Sequence, residues 1–493
     1  MAAGAGALAA RGAATFFFFR RFEPLRDFAA ASGGGGDDDV AAGFSSAFLA
    51  FGAFTVAEAS AALHTSQALH LQNLHLLVPV QLPAQPIADS GHAFQAARAT
   101  WQTSSKPPRI AQRPREVATR GEEIAMSDDL TTLSDADATT TTLDAVSTSH
   151  TADAVAFCPH ARCKTLLVCG SYELRKEESP PRRVGQLLLL DTASGALAER
   201  QRIDGAGVLD CAWRPAGAAD ERALLATATS EGFAELHALE ADAAGGGARL
   251  ADAGRAECAG AGLSLMGCAW SRPGAELALS STAGWLYVCA LAEGGGLRCA
   301  RSWQAHDLEG WAVAFDEADP AALYSGGDDA MLKRWDLRCD AADGAAVAAT
   351  NRRAHGAGVC CVSPSPLAPH LVATGSYDEV ARLWDSRQLR QPLAEVGCGG
   401  GVWRLKWHPS RRELLLGACM HAGFRVLEVS GGAADGDGAP ALRVAASYTA
   451  HGVGDALGYG ADWAHGGGGG SEPLRAATCS FYDRKLHLWT VSV

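Results

Sequence analysis

Two stretches of this 493-residue chain carry the same residue types at the same spacing. In AHDLEGWAVAFDEADPAALYSGGDDAMLKRWDLR, residues His306, Gly326, Asp329, Trp335 and Asp336 match His355, Gly375, Asp378, Trp384 and Asp385 of AHGAGVCCVSPSPLAPHLVATGSYDEVARLWDSR. In each copy the His precedes the Trp by 29 residues, the first Asp precedes it by 6, and the second Asp follows it directly. A looser third copy holds His451, Asp483 and Trp489, again with the Asp 6 residues before the Trp and the His after an Ala. Each repeat is too short to enclose a core. A small sheet exposes two faces, so repeats of this kind are stable only when they stack on one another.

A period of about 40 to 50 residues ending in Trp-Asp marks one four-stranded blade of a WD-repeat β-propeller. The His, the turn Asp and the strand Trp then act as structural residues that hold each blade together. The blade beginnings are also visible. Short apolar runs followed by an aromatic and Pro occur at 154–159 (AVAFCP), 208–215 (VLDCAWRP), 265–273 (LMGCAWSRP) and 402–409 (VWRLKWHP). WAVAFD at 311–316, GVCCVSP at 358–364 and YGADW at 459–463 supply three more. Pro cannot continue a ladder, which makes each run a strand with a defined end. The expectation is an all-β, seven-bladed propeller over residues 139–493. The β-branched segment at 139–146 (TTTTLDAV) precedes the first blade and is expected to close the ring as the outer strand of the last one. Gly-rich inserts at 245–247, 431–438 and 466–470 read as solvent loops.

Residues 1–125 have a different character. They are Ala-rich, carry FFFFRRF and GGGGDDD, and hold no steady period of 2 or 3.6. Three readings stay open for this low-complexity extension: a transit-like leader, since Arg11, Arg20 and Arg21 precede the first acid; a disordered segment; or a false gene start, with Met126 as the true one. The uncharged run at 41–57 is short for a membrane span and rich in Gly, Ser and Ala, so no membrane association is expected. A formal net charge of −13 leaves no basic stripe to displace counterions, which argues against a nucleic-acid partner. The 14 cysteines include no C-x-x-C pair, so inert thiols in a reducing, cytoplasmic setting are expected, with no metal and no cofactor.

Propellers act through the axial mouth, where the turns of all blades meet. One blade breaks the turn pattern there: in LLLGACMHAGFRVLEV, His421 stands where the others have Asp, and Leu427 where they have Trp. An imidazole at that place suits general-base work near neutral pH. Cys419, two residues earlier, would share its face on an extended strand and makes a candidate nucleophile. Arg404, in GGGVWRLKWHP, is placed either to steady an oxyanion or to stack on Trp403 or Trp407. No G-x-S-x-G elbow, H-E-x-x-H site or P-loop is present, which removes the familiar hydrolase, metalloprotease and kinase classes.

Taken together, VWRLKWHP, ACMHAGF, YSGGDDAMLKRWD, TGSYDEVARLWDSR and TCSFYDRKLHLW resemble the diphthine methylesterase family, the WD-repeat proteins of diphthamide biosynthesis. The resemblance spans about residues 139–493 and departs from the family pattern at Ala422, where a small polar residue is usual. It implies hydrolysis of the methyl ester on a modified histidine of elongation factor 2, with release of methanol. That substrate carries a trimethylammonium group, and Asp328, Tyr377, Tyr482 and Trp403 are the expected contacts. The competing reading is a scaffold. Arg338 and Arg387 complete W-D-x-R patterns of the kind found in ubiquitin-ligase substrate receptors, although half of that pattern is the blade signature itself.

Overall fold

The computed structural model describes residues 138–217, 222–241, 247–292, 295–339, 344–431, 440–452, 456–466 and 472–493. Among these, 28 strands form seven four-stranded antiparallel sheets, and there is no helix. Blades 1 to 6 use consecutive strands within residues 151–206, 208–257, 265–304, 310–351, 359–397 and 404–448. Blade 7 takes three strands from residues 458–492 and its outer strand, Thr139–Ser147, from the opposite end of the ring. Thr139 lies opposite Ser492 and Ser147 opposite Lys485, the closure expected from the Thr-rich segment. The three readings of residues 1–125 concern residues outside those described. No helix among the described residues is long and apolar enough to cross a membrane.

The seven runs read as blade starts are the innermost strands: Thr151–Phe157, Val208–Trp213, Leu265–Trp270, Gly310–Phe315, Val359–Pro364, Arg404–Trp407 and Gly458–Trp463. Four of these runs end in a Trp whose structural task the repeat did not reveal: its indole N–H donates to a carbonyl on the inner strand of the blade before. Trp213 reaches Ala156 at 3.1 Å, Trp270 reaches Ala212 at 3.0 Å, Trp407 reaches Ser363 at 2.8 Å and Trp463 reaches Lys406 at 3.1 Å. Each bond satisfies a buried donor and ties neighbouring blades near the axis.

Packing between blades explains the repeated Gly as well. A Cβ on Gly170, Gly326 or Gly375 would lie 2.5, 2.6 and 2.5 Å from a methyl of Val208, Val359 and Val402, at the start of the next blade. Only glycine lets these blades approach so closely.

Within the repeats the polar residues form a relay through a hydroxyl. In blade 4, His306 Nδ1 lies 2.9 Å from Asp329, its Nε2 lies 2.8 Å from Ser325 Oγ, and Trp335 donates to that same oxygen at 2.9 Å. Blade 5 keeps the inner half, with His355 and Trp384 meeting on Thr374 Oγ1 at 2.9 and 2.8 Å. Its Asp378 turns instead to Arg382 and to the Gly356 amide. In blade 7, Thr478 joins His451 and Trp489, and Ser480 links His451 to Asp483. Tyr448 stacks on Trp489 at 4.2 Å and bonds Thr142 of the closing strand at 2.8 Å.

Candidate functional site

The turns between second and third strands define one face of the ring, and His421 occupies in blade 6 the turn that holds Asp329 in blade 4 and Asp378 in blade 5. Blade 6 dispenses with the hydroxyl relay because Leu427, fully buried, replaces the Trp. Its turn is fixed differently. Met420, at φ 45°, exchanges backbone hydrogen bonds with Gly458 of blade 7 at 3.2 and 2.9 Å. The three glycines before Trp403 pack onto the same turn: a Cβ on Gly400 would lie 2.3 Å from the Cys419 carbonyl, and one on Gly401 2.7 Å from Met420 Sδ. The motifs GGGVWR at 399–404 and CMHAGF at 419–424 therefore form one junction that sets Trp403 beside Tyr459.

Around this junction an aromatic arc lines the mouth. Trp403 stacks on Tyr459 with centroids 4.8 Å apart and 24° between planes. Trp311 meets Trp403 edge-on at 5.3 Å, and Tyr377 lies 5.9 Å from Trp403. Phe481 continues the arc from Tyr459, at 5.1 Å, to Tyr172, at 5.3 Å. The arc thus draws on blades 4, 5, 6, 7 and 1. Burial raises the phenol pKa of Tyr172, Tyr377 and Tyr459, so all three stay neutral and keep their π faces. Tyr482 stands outside the arc, 67% exposed and touching Phe481 edge-on. Asp328 is half-buried at the rim, where burial, followed by Glu309, pushes its carboxyl up.

Beneath the aromatics the axis is polar. Arg404 of blade 6 reaches across the ring to Asp210 of blade 2, with Nη1 2.5 Å from Oδ1. The other oxygen of Asp210 accepts from the Cys268 amide of blade 3 at 2.9 Å. Burial opposes the charge on Arg404, but Asp210 and Asp153 outweigh it and hold the guanidinium protonated. Asp153, on the inner strand of blade 1, is 3% exposed. Burial pushes its carboxyl up to about 7, with Arg404 holding it back and Asp210 adding to the rise. Asp153 Oδ1, Arg404 Nε and Trp403 Nε1 are buried without a hydrogen-bond partner. Such orphans are costly in a sealed core and expected where a polar ligand is received. A cavity of about 250 Å³ runs along the axis here, lined among others by Asp210, Trp311, Cys360, Trp403, Arg404 and Lys406.

The structure sorts the sequence candidates. Arg404 faces the axis and holds a carboxylate of the protein itself rather than stacking on Trp407. Asp328, Tyr377 and Trp403 gather at the mouth, and His421 is partly exposed in the rim turn. Cys419 does not join them. The chain turns sharply at Met420, so Cys419 and His421 do not continue one extended strand; Cys419 is fully buried in the core shared by blades 5 and 6. The neighbouring Cys398 and burial push its thiol well up, which leaves no thiolate for nucleophilic attack. Arg338 and Arg387 follow third strands and so lie on the opposite face, 59% and 68% exposed and paired with Asp319 and Asp385.

Sequence reasoning missed Asp153, Asp210, Tyr172, Trp311, Tyr459 and Phe481. A signal existed for the first two: an acid within an otherwise apolar inner-strand run, TADAVAF and VLDCAW. The signal does not name the axis by itself, since Asp462 interrupts the inner strand GYGADW in the same way and accepts from the Phe157 amide of blade 1 at 2.7 Å.

Comparison with known proteins agrees with this architecture. The WD domain, G-beta repeat model matches residues 349–385, which span most of blade 5. The human diphthine methyltransferase is 36% identical over 338 residues, covering 64% of this chain and 72% of the relative. The Dictyostelium discoideum diphthine methyltransferase homolog is 29% identical over 367 residues, covering 69% and 96%. An E3 ubiquitin-protein ligase of Arabidopsis thaliana is 32% identical over 91 residues, only 12% of its length, a stretch about two blades long. With a ring of seven blades and a human relative matched over 72% of its length, the chain belongs to the diphthine methyltransferase family of WD-repeat proteins.

Proposed function

We propose that this protein acts in diphthamide biosynthesis by hydrolysing the methyl ester of methylated diphthine on elongation factor 2, giving methanol and a free carboxylate without a cofactor. One observation carries the reading. A single mouth combines an aromatic arc, suited to a trimethylammonium group, with a buried carboxyl near neutral pKa and a guanidinium carrying an unpartnered N–H. The cation rests against Trp403, Tyr459 and Trp311, with Asp328 at the rim adding charge attraction. The ester carbonyl then points down the axis toward Arg404.

In the step itself, ionised Asp153 takes a proton from water as the water oxygen bonds to the carbonyl carbon. Arg404 Nε–H donates to the oxyanion, and Asp210 keeps the guanidinium oriented. Collapse breaks the bond to methoxide, which leaves with the proton held by Asp153. His421, on the rim turn, is the second candidate base. The reading places the protein in the cytoplasm with its substrate.

The test is a methanol assay on elongation factor 2 bearing methylated diphthine, run with wild type, Asp153→Asn, His421→Ala and Arg404→Met. Methanol release that depends on Asp153 and Arg404 supports the scheme, whereas an active Asp153→Asn and an inactive, folded His421→Ala move the base to the rim. The relatives' name favours a second reading, methyl transfer onto diphthine. It predicts no methanol from the protein alone and methylation only when S-adenosylmethionine is added. The ubiquitin-ligase adaptor reading predicts that Arg338→Ala and Arg387→Ala abolish binding to a ligase adaptor while leaving methanol release intact.

A further inference from the structure

Blades 2 and 3 meet along an apolar seam that contains an unexpected group of three cysteines. Cys258 follows the outer strand of blade 2, Ala248–Glu257. Cys289 lies in the third strand of blade 3, Trp285–Leu291, and Cys299 in its outer strand, Leu297–Gln304, directly opposite Cys289 in the ladder. All three sulfurs lie within 4.8 Å of one another, and Cys258 Sγ is 3.4 Å from Cys289 Sγ. Around them the seam is closed by Leu236, Ala256, Leu265, Tyr287 and Leu297. Cys289 is fully buried, and Cys258 and Cys299 are partly exposed, which leaves an entry path.

We propose that Cys258, Cys289 and Cys299 form a binding site for one thiophilic d¹⁰ ion, Cu(I) or Zn(II), that bridges blades 2 and 3. The geometry fits such an ion. A metal bonded to three thiolates at about 2.3 Å sets the sulfurs about 4 Å apart, within the 4.8 Å that encloses all three and a small opening from the 3.4 Å of Cys258 and Cys289. Three soft donors with no carboxylate or imidazole among them select Cu(I) or Zn(II) over Mg(II), Ca(II) or Mn(II). Cu(I) is satisfied by three thiolates, whereas Zn(II) takes a fourth ligand, which the partly exposed side of the site can supply from solvent. Binding needs all three sulfurs as thiolates, so each thiol still protonated releases its proton to solvent as its metal–sulfur bond forms, and no electron is transferred. The site lies outside the axial mouth and does not depend on the proposed reaction. The spacing of 31 and 10 residues between the three cysteines matches no familiar metal motif, which is why the sequence gives no sign of it.

The test uses the purified full-length protein, reduced, freed of metal with a chelator, and offered Zn(II) or Cu(I) separately. Bound metal is counted by emission spectroscopy after desalting, and the melting temperature is read alongside. We expect one equivalent of at least one ion to be retained and the melting temperature to rise by several degrees. Retention of Cu(I) alone identifies a three-coordinate site, and retention of Zn(II) identifies one completed by solvent. Cys299→Ser and Cys258→Ser, both at partly exposed positions, should lose the ion and the temperature shift, and Cys339→Ser, exposed and outside the group, should keep both. Less than a tenth of an equivalent retained with either ion, equal retention by wild type and Cys299→Ser, or a native disulfide within the group found by mass spectrometry would each overturn the proposal.

Discussion

Replacing Asp153 with Asn should make the protein more stable and less active at once. The Asp153 carboxyl has a folded pKa of about 7 against a model value of 3.8. The folded state therefore binds its proton more tightly than the unfolded state does. Between roughly pH 4 and 7 the stability falls as pH rises, and above 7 the full penalty of an ionised, buried carboxylate is present. A rise of about 3 units at 1.36 kcal/mol each amounts to about 4 kcal/mol. Asn copies the protonated acid in shape and never ionises, so the variant escapes that penalty. For a domain of this size 1 kcal/mol moves the melting temperature by roughly 1–2 °C. Asp153→Asn should melt about 5 °C above wild type at pH 8 and close to wild type at pH 4, by calorimetry across that range. Methanol release at pH 8 should drop by about 10²- to 10⁴-fold, and the wild-type rate should climb with pH through about 7. Equal melting temperatures at pH 8, or a gap that does not narrow as pH falls, would refute the argument.

Three further outcomes follow from the geometry. Trp403→Leu should raise KM by about 10-fold with little change in kcat, because the indole contributes cation binding worth about 1–2 kcal/mol and touches no reacting atom. Gly400→Ala places a Cβ 2.3 Å from the Cys419 carbonyl and should cost about 1–3 kcal/mol in denaturant unfolding while weakening activity through the displaced Trp403. Removing residues 1–125 should leave a cooperatively melting ring, whereas removing residues through Ser147 strips the outer strand of blade 7 and should lower the melting temperature markedly; matching melts for the two truncations would contradict the closure.

Much of this fold is legible in the sequence because a propeller repeats its instructions. The Trp-Asp copies, the aromatic-Pro strand ends and the Thr-rich closing segment are local patterns, each read within one blade. The relay hydroxyls Ser325, Thr374 and Thr478 were less visible, since Ser and Thr are common in strands and carry no distinctive spacing alone. The axial centre was hardly visible at all. Its side chains come from different blades, so Asp210 and Arg404, 194 residues apart, meet only because the ring brings blades 2 and 6 face to face. His421 stands out by breaking the turn pattern of its blade, whereas Asp153 shows only as one acid in an apolar run, which does not say what it faces. Cys419 misled because strand spacing was extended through a residue that the chain uses to turn.

The strand that closes the ring also sets a timetable for making it. Ser147 and its bonding partner Lys485 are 338 residues apart, so the first blade-forming strand to leave the ribosome is among the last to find its place. At translation rates of roughly 5–20 residues per second that interval lasts roughly 20–70 s. Throughout it Thr139–Ser147 lacks the strand it pairs with, and blade 1 shows its growing stack an uncovered flank. Unpaired edges of this kind invite pairing with other chains. The nine-residue strand answers with exposed Thr and an Asp rather than a run of large apolar side chains, a composition that tolerates waiting in water. Closure thus waits for the strand Lys485–Ser492, and a nascent chain halted before Lys485 lacks the partner that seals the circle.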